Sequence, residues 1–173
     1  METSILYVCT FWGARSRVAE VFTNALNIPG LRADSAGFDN GRIGELPRRI
    51  VAEPGLYLPE ESPDNIFTRF RTGTAYDTII ILANAETQES YPTLLDTVRT
   101  LYGSTPEIIH WNVADFMSVT GEGNARVVAM REIIDDIECR VLNLINEIEN
   151  ANVMRMMPAV TAAGTTAATF VRP

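Results

Sequence analysis

Cys9 and Arg15 are the residues of this sequence whose types and spacing could do chemistry together. Cys9 ends the apolar run Leu6-Tyr7-Val8-Cys9, and Arg15 opens an amphipathic helix after five intervening residues. A cysteine that faces the first-turn amides of a helix lies in positive potential, which stabilises a thiolate and binds an oxyanion. The arginine adds a planar fork that can hold two oxygens of a tetrahedral anion. The pair therefore predicts a nucleophile beside an anion site.

The spacing alone leaves a simpler interpretation open, a buried cysteine at a strand end and an arginine on a helix surface. The elements around the pair favour a site. Strands are predicted at 4–9, 31–36, 76–83 and 107–111, and helices at 15–26, 47–54, 64–71, 85–101 and 124–151. This alternation predicts an α/β fold, a three-layer sandwich with a four-stranded parallel sheet and helices on both faces. Ligands of such sheets bind beyond the carboxyl ends of the strands, where Cys9 lies.

The last helix and the residues after it differ in character. One stripe of the helix is apolar at helical spacing, and it consists of Val127, Met130, Ile134, Ile137, Val141, Leu144 and Ile148. Cys139 lies outside that stripe, which favours an inert helix cysteine. We expect residues 1–151 to form one domain. Residues 152–173 are expected to form a low-complexity tail, either poorly ordered or packed on a partner subunit.

Composition and charge limit the classes of function that this chain could have. The chain has 173 residues and a net charge of −8, and all of its 14 basic residues are arginine. An acidic chain is a poor candidate for nucleic acid binding, so an anion site must be built locally from amides and a buried arginine. No stretch approaches the length of a membrane span, no signal-like segment precedes the first strand, and two cysteines form no disulfide framework, so we expect a cytoplasmic protein. With His110 as the single histidine, neither a metal nor a cofactor is expected.

Four segments carry a resemblance to a known family. They are Cys9-Thr10 followed after three residues by Ala14-Arg15-Ser16-Arg17-Val18-Ala19-Glu20, then Asp34-Ser35-Ala36-Gly37, then Arg42-Ile43-Gly44-Glu45-Leu46-Pro47-Arg48, and Trp111-Asn112-Val113-Ala114-Asp115. In this order they resemble the low-molecular-weight protein tyrosine phosphatases and the arsenate reductases built on the same fold. The resemblance covers residues 4 to about 148. It implies the strand order 2-1-3-4 and a phosphatase that works through a phosphocysteine intermediate.

The resemblance also implies roles for individual residues. Cys9 would attack phosphorus, and Asp115 would protonate the departing alcohol and then activate water. Ser16 would donate its hydroxyl to the sulfur, although an ordinary first-turn serine is equally compatible with its position. The phosphate would be bound by the loop residues Thr10, Phe11, Trp12, Gly13, Ala14 and Arg15. The expected substrate is a phosphorylated protein or a small phosphomonoester resembling phosphotyrosine, and a homodimer is possible.

The chain departs from the family pattern at several positions. Phe11 and Trp12 stand where the family has Gly and Asn, so Gly13 is the candidate for the left-handed backbone position that the loop requires. Gly41 stands where tyrosine-specific members carry an aromatic residue. Phe116 and Met117 replace the usual proline and tyrosine after the acid.

Two other functions stay open beside the phosphatase. One is arsenate reduction, which in this chain would need an external thiol, because the segment 82–92 lacks the two cysteines of the thioredoxin-linked reductases. The other is a non-catalytic phosphate-binding or protein-interaction module on an inherited fold.

Overall fold

The strands and helices alternate along the chain. The computed structural model describes residues 2–10, 13–39, 41–84 and 91–156. In chain order the elements are β1 (Thr3–Cys9), α1 (Ala14–Ala25), β2 (Leu31–Gly37), α2 (Glu45–Ala52), α3 (Ile66–Arg71), β3 (Thr78–Leu82), α4 (Tyr91–Tyr102), β4 (Glu107–Trp111), a short 3-10 turn (Phe116–Ser118) and α5 (Gly123–Met156).

The four strands form one parallel sheet in the order β2-β1-β3-β4, which confirms the predicted α/β fold and its strand order. The register aligns the carboxyl ends of the strands. Cys9 pairs with Gly37 on one side and with Leu82 on the other, and Leu82 pairs with Trp111. The loops that follow β1 and β4 therefore leave the sheet at the same edge.

The sheet is buried on both faces, as its continuous apolar strands predicted. Along β1, Ile5 and Tyr7 pack into one hydrophobic cluster, whereas Leu6 and Val8 pack into the other. The first cluster includes residues of α1, α2 and α5, and the second includes residues of α3 and α4. The alternation of side chains along a strand thus gives the three layers.

The apolar stripe of α5 packs on the sheet as predicted. Met130, Ile134, Ile137, Val141 and Leu144 are all buried. The helix continues five residues beyond its predicted end, to Met156, and its last turns carry the exposed side chains of Val153 and Met154. Most of the predicted tail, residues 157–173, lies outside the described residues.

Two other boundaries differ for local reasons. Helix α2 starts at Glu45, two residues before Pro47, because a proline in the first turn lacks only an N–H that has no partner within the helix. Strand β3 starts at Thr78 and not at Tyr76, since the Asp77 carboxylate accepts hydrogen bonds from the backbone N–H and the hydroxyl of Ser4. The segment 85–90, predicted as helix, lies outside the described residues.

No helix in the described part of the chain has the length and apolar character needed to cross a membrane.

The buried side chain of Tyr7 makes the stability of the fold decrease at alkaline pH. Its hydroxyl lies 2.8 Å from the Thr23 hydroxyl, and burial raises the pKa of Tyr7 above its ordinary value near 10. Burial also raises the pKa of Tyr102, to about 12. A pKa that is higher in the folded state means that the unfolded chain loses its protons first. The stabilisation is therefore complete below pH 10 and is lost as the pH rises above it.

We expect the free energy of unfolding, measured by urea denaturation, to fall above pH 10. The slope contributed by Tyr7 approaches about 1.4 kcal/mol per pH unit. Tyr7→Phe should lower stability at pH 7 by about 1 kcal/mol through loss of the Thr23 hydrogen bond, and should flatten the alkaline slope. Tyr57→Phe, at a ring that is 78% exposed, is the matched control. An alkaline slope that is the same in Tyr7→Phe and wild type would contradict this account.

Candidate active site

Cys9 is the last residue of β1, and its sulfur lies next to the first turn of α1. The backbone N–H of Ser16 donates to the Cys9 sulfur at 3.4 Å, and the Ser16 hydroxyl oxygen lies 3.4 Å from the same sulfur. That hydroxyl is also 3.0 Å from each of two carbonyl oxygens, those of Gly13 and Ala36. A neutral thiol can donate to the Ser16 oxygen while the hydroxyl proton points at a carbonyl. A thiolate can receive that proton after a rotation of the hydroxyl.

The guanidinium of Arg15 is buried, with only 2% of the residue exposed. Its Nη1 donates to the Val113 carbonyl oxygen at 2.9 Å, and its Nη2 donates to the Thr10 hydroxyl at 2.9 Å. Nη2 is also 3.5 Å from Oδ2 of Asp115. A buried positive charge requires such partners because it has lost its hydration. Here they come from the loop after β1 and from the loop after β4.

Asp115 is oriented by the short turn that it begins. Its Oδ1 accepts a hydrogen bond from the Met117 N–H at 2.9 Å, while Oδ2 is the oxygen nearest to Arg15. The side chain of Asp115 is 13% exposed, so it reaches solvent at the edge of the site. The structure therefore places Asp115 beside Arg15, although the two residues are 100 positions apart in sequence.

Gly13 adopts the left-handed backbone conformation, with φ of 61° and ψ of 18°, immediately before α1. This confirms the prediction that Gly13 takes the strained position of the loop. A Cβ at this glycine would lie 2.2 and 2.4 Å from the Cγ and Cδ atoms of Pro63. The loop is also close to β2, since a Cβ on Gly37 would lie 2.9 Å from the Gly13 nitrogen. Phe11 and Trp12, predicted here as phosphate-binding residues, lie outside the described residues.

The other phosphate-binding candidates lie where the loop joins its neighbours. The Thr10 carbonyl accepts a hydrogen bond from the Phe38 N–H at 3.2 Å. Ala14 is the first residue of α1. The first-turn N–H groups of a helix lack partners within the helix, and in this helix the Ser16 N–H points at the sulfur.

Sequence reasoning missed three groups that shape the site: Pro63 and the carbonyls of Ala36 and Val113. Pro63 carries no sequence signal that connects it with the loop. The carbonyls belong to segments that the sequence did assign to the site region, but a backbone oxygen has no residue-type signature. Of the two carbonyls, that of Val113 was the easier to connect with the site from sequence, because Val113 lies two residues before Asp115.

The second cysteine and the single histidine make their contacts outside this group of residues. Cys139 is an exposed free cysteine on α5, and its sulfur accepts a hydrogen bond from Nδ2 of Asn143 at 3.7 Å. The His110 ring stacks on Tyr91 with centroids 3.9 Å apart, and its Nε2 is 3.0 Å from the Ala83 carbonyl oxygen. Among the described residues, no group of three or more His, Cys, Asp or Glu side chains could hold a metal ion.

Comparison with known proteins decides the family. The model of the low molecular weight phosphotyrosine protein phosphatases matches residues 4–154 of this chain. The chain belongs to this family. The match extends from β1 to the last turn of α5 and includes both loops that meet at Arg15. A search of curated proteins gave no match.

Solved structures share the fold of this phosphatase family member. An arsenate reductase from Archaeoglobus fulgidus is 22% identical, with a TM-score of 0.61, over 82% of this chain and 98% of that one. The tyrosine phosphatase amsI of Erwinia amylovora is 20% identical, with a TM-score of 0.62, over 85% and 93%. The YwlE arginine phosphatase from Geobacillus stearothermophilus is 17% identical, with a TM-score of 0.59, over 90% and 99%. At these identities the likeness concerns the fold.

Substitution of Gly13 tests the packing of the loop in this family member. The left-handed backbone conformation costs an alanine roughly 1–2 kcal/mol. Gly13→Ala should lower the free energy of unfolding by more than this, because the new methyl group collides with Pro63. Gly73→Ala is the matched control, since Gly73 has φ of 72° and no atom within 4 Å of an added Cβ. The measurement is urea denaturation. Pro63→Ala should restore part of the loss in Gly13→Ala, and equal losses in the two glycine variants would contradict the contact.

Proposed function

We propose that this protein hydrolyses phosphate monoesters, with an aryl phosphate resembling phosphotyrosine as substrate, through a covalent phosphocysteine intermediate on Cys9. One arrangement carries the proposal. The Cys9 sulfur accepts an N–H from the first turn of α1, the next residue, Thr10, accepts a hydrogen bond from the buried Arg15 guanidinium, and the Asp115 carboxylate lies 3.5 Å from that guanidinium. The family membership supports the same reaction class.

The loop would bind the phosphoryl group of the substrate. The positive end of α1 and the Arg15 fork favour a tetrahedral anion at the carboxyl edge of the sheet. The guanidinium is fixed before the substrate arrives, because Arg15 is held by Thr10 and Val113. Donors that are held in place in advance would need little reorganisation when charge develops on the equatorial oxygens.

The reaction then proceeds in two displacements. First, the Cys9 sulfur attacks phosphorus, the S–P bond forms, and the bond from phosphorus to the alcohol oxygen breaks while Asp115 gives its proton to that oxygen. Second, a water oxygen attacks phosphorus, Asp115 accepts the proton of that water, and the S–P bond breaks. Phosphate leaves and the thiolate is restored.

Ser16 would serve the sulfur in both steps. The backbone N–H of Ser16 and its hydroxyl both lie 3.4 Å from the sulfur, so both can stabilise negative charge there. This favours the thiolate as nucleophile and makes it a better leaving group in the second displacement. The hydroxyl must leave its carbonyl partners to do so, which gives Ser16→Ala a smaller effect than loss of Cys9.

Arsenate reduction places a different demand on the chain. It needs a second thiol, in addition to the nucleophile, to complete the electron transfer. The second cysteine, Cys139, is exposed on α5, where its sulfur accepts a hydrogen bond from Asn143. An external thiol would therefore have to complete such a reaction. Phosphate ester hydrolysis needs only water, which is why it is the function proposed.

Two substitutions test the proposed reaction. Cys9→Ser should abolish hydrolysis of a small aryl phosphate. Asp115→Asn should lower kcat by about 10²–10⁴-fold, because proton transfer to the leaving oxygen is lost while an asparagine oxygen can still accept from Met117. Steady-state kinetics with p-nitrophenyl phosphate measures both effects.

Cys139→Ser is the matched control for the loss of a cysteine and should retain full activity. Wild type that leaves the ester intact but consumes arsenate when a thiol is added would contradict the proposal in favour of reduction. Phosphate binding without either reaction would contradict it in favour of a binding module.

A further inference from the structure

A small hollow opens beside Asp115, between the start of α2 and the start of α5. Its volume is about 160 Å³. Its apolar lining includes Ile43, Leu46, Phe116 and Met130, and Arg126 lies at its rim. We call it the Arg126 hollow. Because Asp115 also lines it, a group that fills the hollow lies next to the carboxyl group proposed to protonate the leaving alcohol.

The size and lining of the Arg126 hollow suit one aromatic ring. Ile43, Met130 and Phe116 are 1%, 3% and 9% exposed, so the floor of the hollow is part of the packed core and is fixed in shape. An apolar cavity of about 150 Å³ is large enough to hold benzene in a protein interior. The hollow is therefore too small for an extended ligand and is sufficient for a single ring.

The two arginines at the rim of the hollow differ in whether they form an ion pair. Arg42 lines the hollow but pairs with Glu60 at 3.1 Å. Arg126 also lines it, is exposed, and forms no ion pair within the described part of the chain. Glu45 is an acidic rim residue in the first turn of α2, where the helix dipole partly offsets its charge. Arg126 is thus the rim cation whose charge is available to a ligand.

Overall charge makes this local cation important. The chain carries a net charge of −8, so its general field repels an anionic substrate. A second negative charge on the substrate would increase that repulsion unless a nearby cation compensates it. Arg126 can provide this compensation within contact distance of a ring that occupies the hollow.

We propose that Arg126 selects phosphate esters whose aromatic group, seated in the Arg126 hollow, carries a carboxylate. The inference rests on the proposed function for the reaction and names its substrate class. Arg126 then determines specificity without taking part in bond making. Glu45 opposes the same carboxylate, so the two rim residues act with opposite sign.

Binding of non-hydrolysable ligands tests this without turnover. The probes are 3-(4-phosphonophenyl)propanoate and the corresponding propanamide, which differ only in the charge of the distal group. Isothermal titration calorimetry gives the Kd of each probe with wild type, Arg126→Gln, Glu45→Gln and Arg99→Gln. Arg99 is the matched control because it is an exposed arginine of α4 and is not among the residues that line the hollow.

We expect wild type to prefer the carboxylate over the amide. Arg126→Gln should reduce that preference by about three- to fivefold, as for the loss of one exposed ion pair, and Glu45→Gln should increase it. Arg99→Gln should leave it unchanged, and added salt should weaken it in wild type.

The outcomes separate this inference from the proposed function. If the carboxylate probe is preferred only when Arg126 is present, but the protein hydrolyses no aryl phosphate, the role of Arg126 is supported and the proposed reaction is rejected. Normal hydrolysis with equal preference in wild type and Arg126→Gln would overturn the assignment of Arg126. Failure of both probes to bind would overturn the hollow as a ligand site.

Discussion

The burial of the Arg15 guanidinium is the constraint on which the site depends. A charge with 2% exposure must be held by fixed polar partners, and Arg15 has them in Thr10, Val113 and Asp115. These partners join the loop after β1 to the loop after β4, two strands that are not neighbours in the sheet. The site is therefore a consequence of strand order, since only the shared carboxyl edge brings both loops to one cation.

The same constraint explains how an acidic chain could contain the proposed anion site. The net charge of −8 excludes attraction of anions by the general field. Positive potential at that site would come from the start of α1 and from Arg15, whose guanidinium is protected from the acidic surface by burial. The role inferred for Arg126 would extend this principle beyond the phosphoryl group. Arg42 at the same rim pairs with Glu60, and the effect of Arg126 would be local because salt screens it at longer range.

Much of the fold could be predicted from sequence because its signals are local. The apolar runs of β1 and β3 and the stripe of α5 identify their burial, and the order of elements predicts the parallel sheet. Cys9, Arg15 and Ser16 could be predicted as candidate site residues for the same reason, since they lie within eight consecutive residues. The contacts of Pro63 with Gly13 and of Val113 with Arg15 could not be predicted. They depend on loops that meet only after the sheet forms, and Val113 contributes a backbone oxygen that no residue type reveals.

In the proposed reaction the buried sulfur of Cys9 becomes covalently bound to phosphorus. Cys9 has no exposed surface, so the loop must admit the phosphoryl group for this to happen. The direct measurement is rapid quenching of aryl phosphate turnover in alkaline denaturant, which preserves the acid-labile S–P bond, followed by peptide mass spectrometry under non-acidic conditions. We expect a phosphoryl group on the peptide that contains Cys9 and none on the peptide that contains Cys139. Turnover that depends on Asp115 but leaves Cys9 unmodified at every quench time would contradict it.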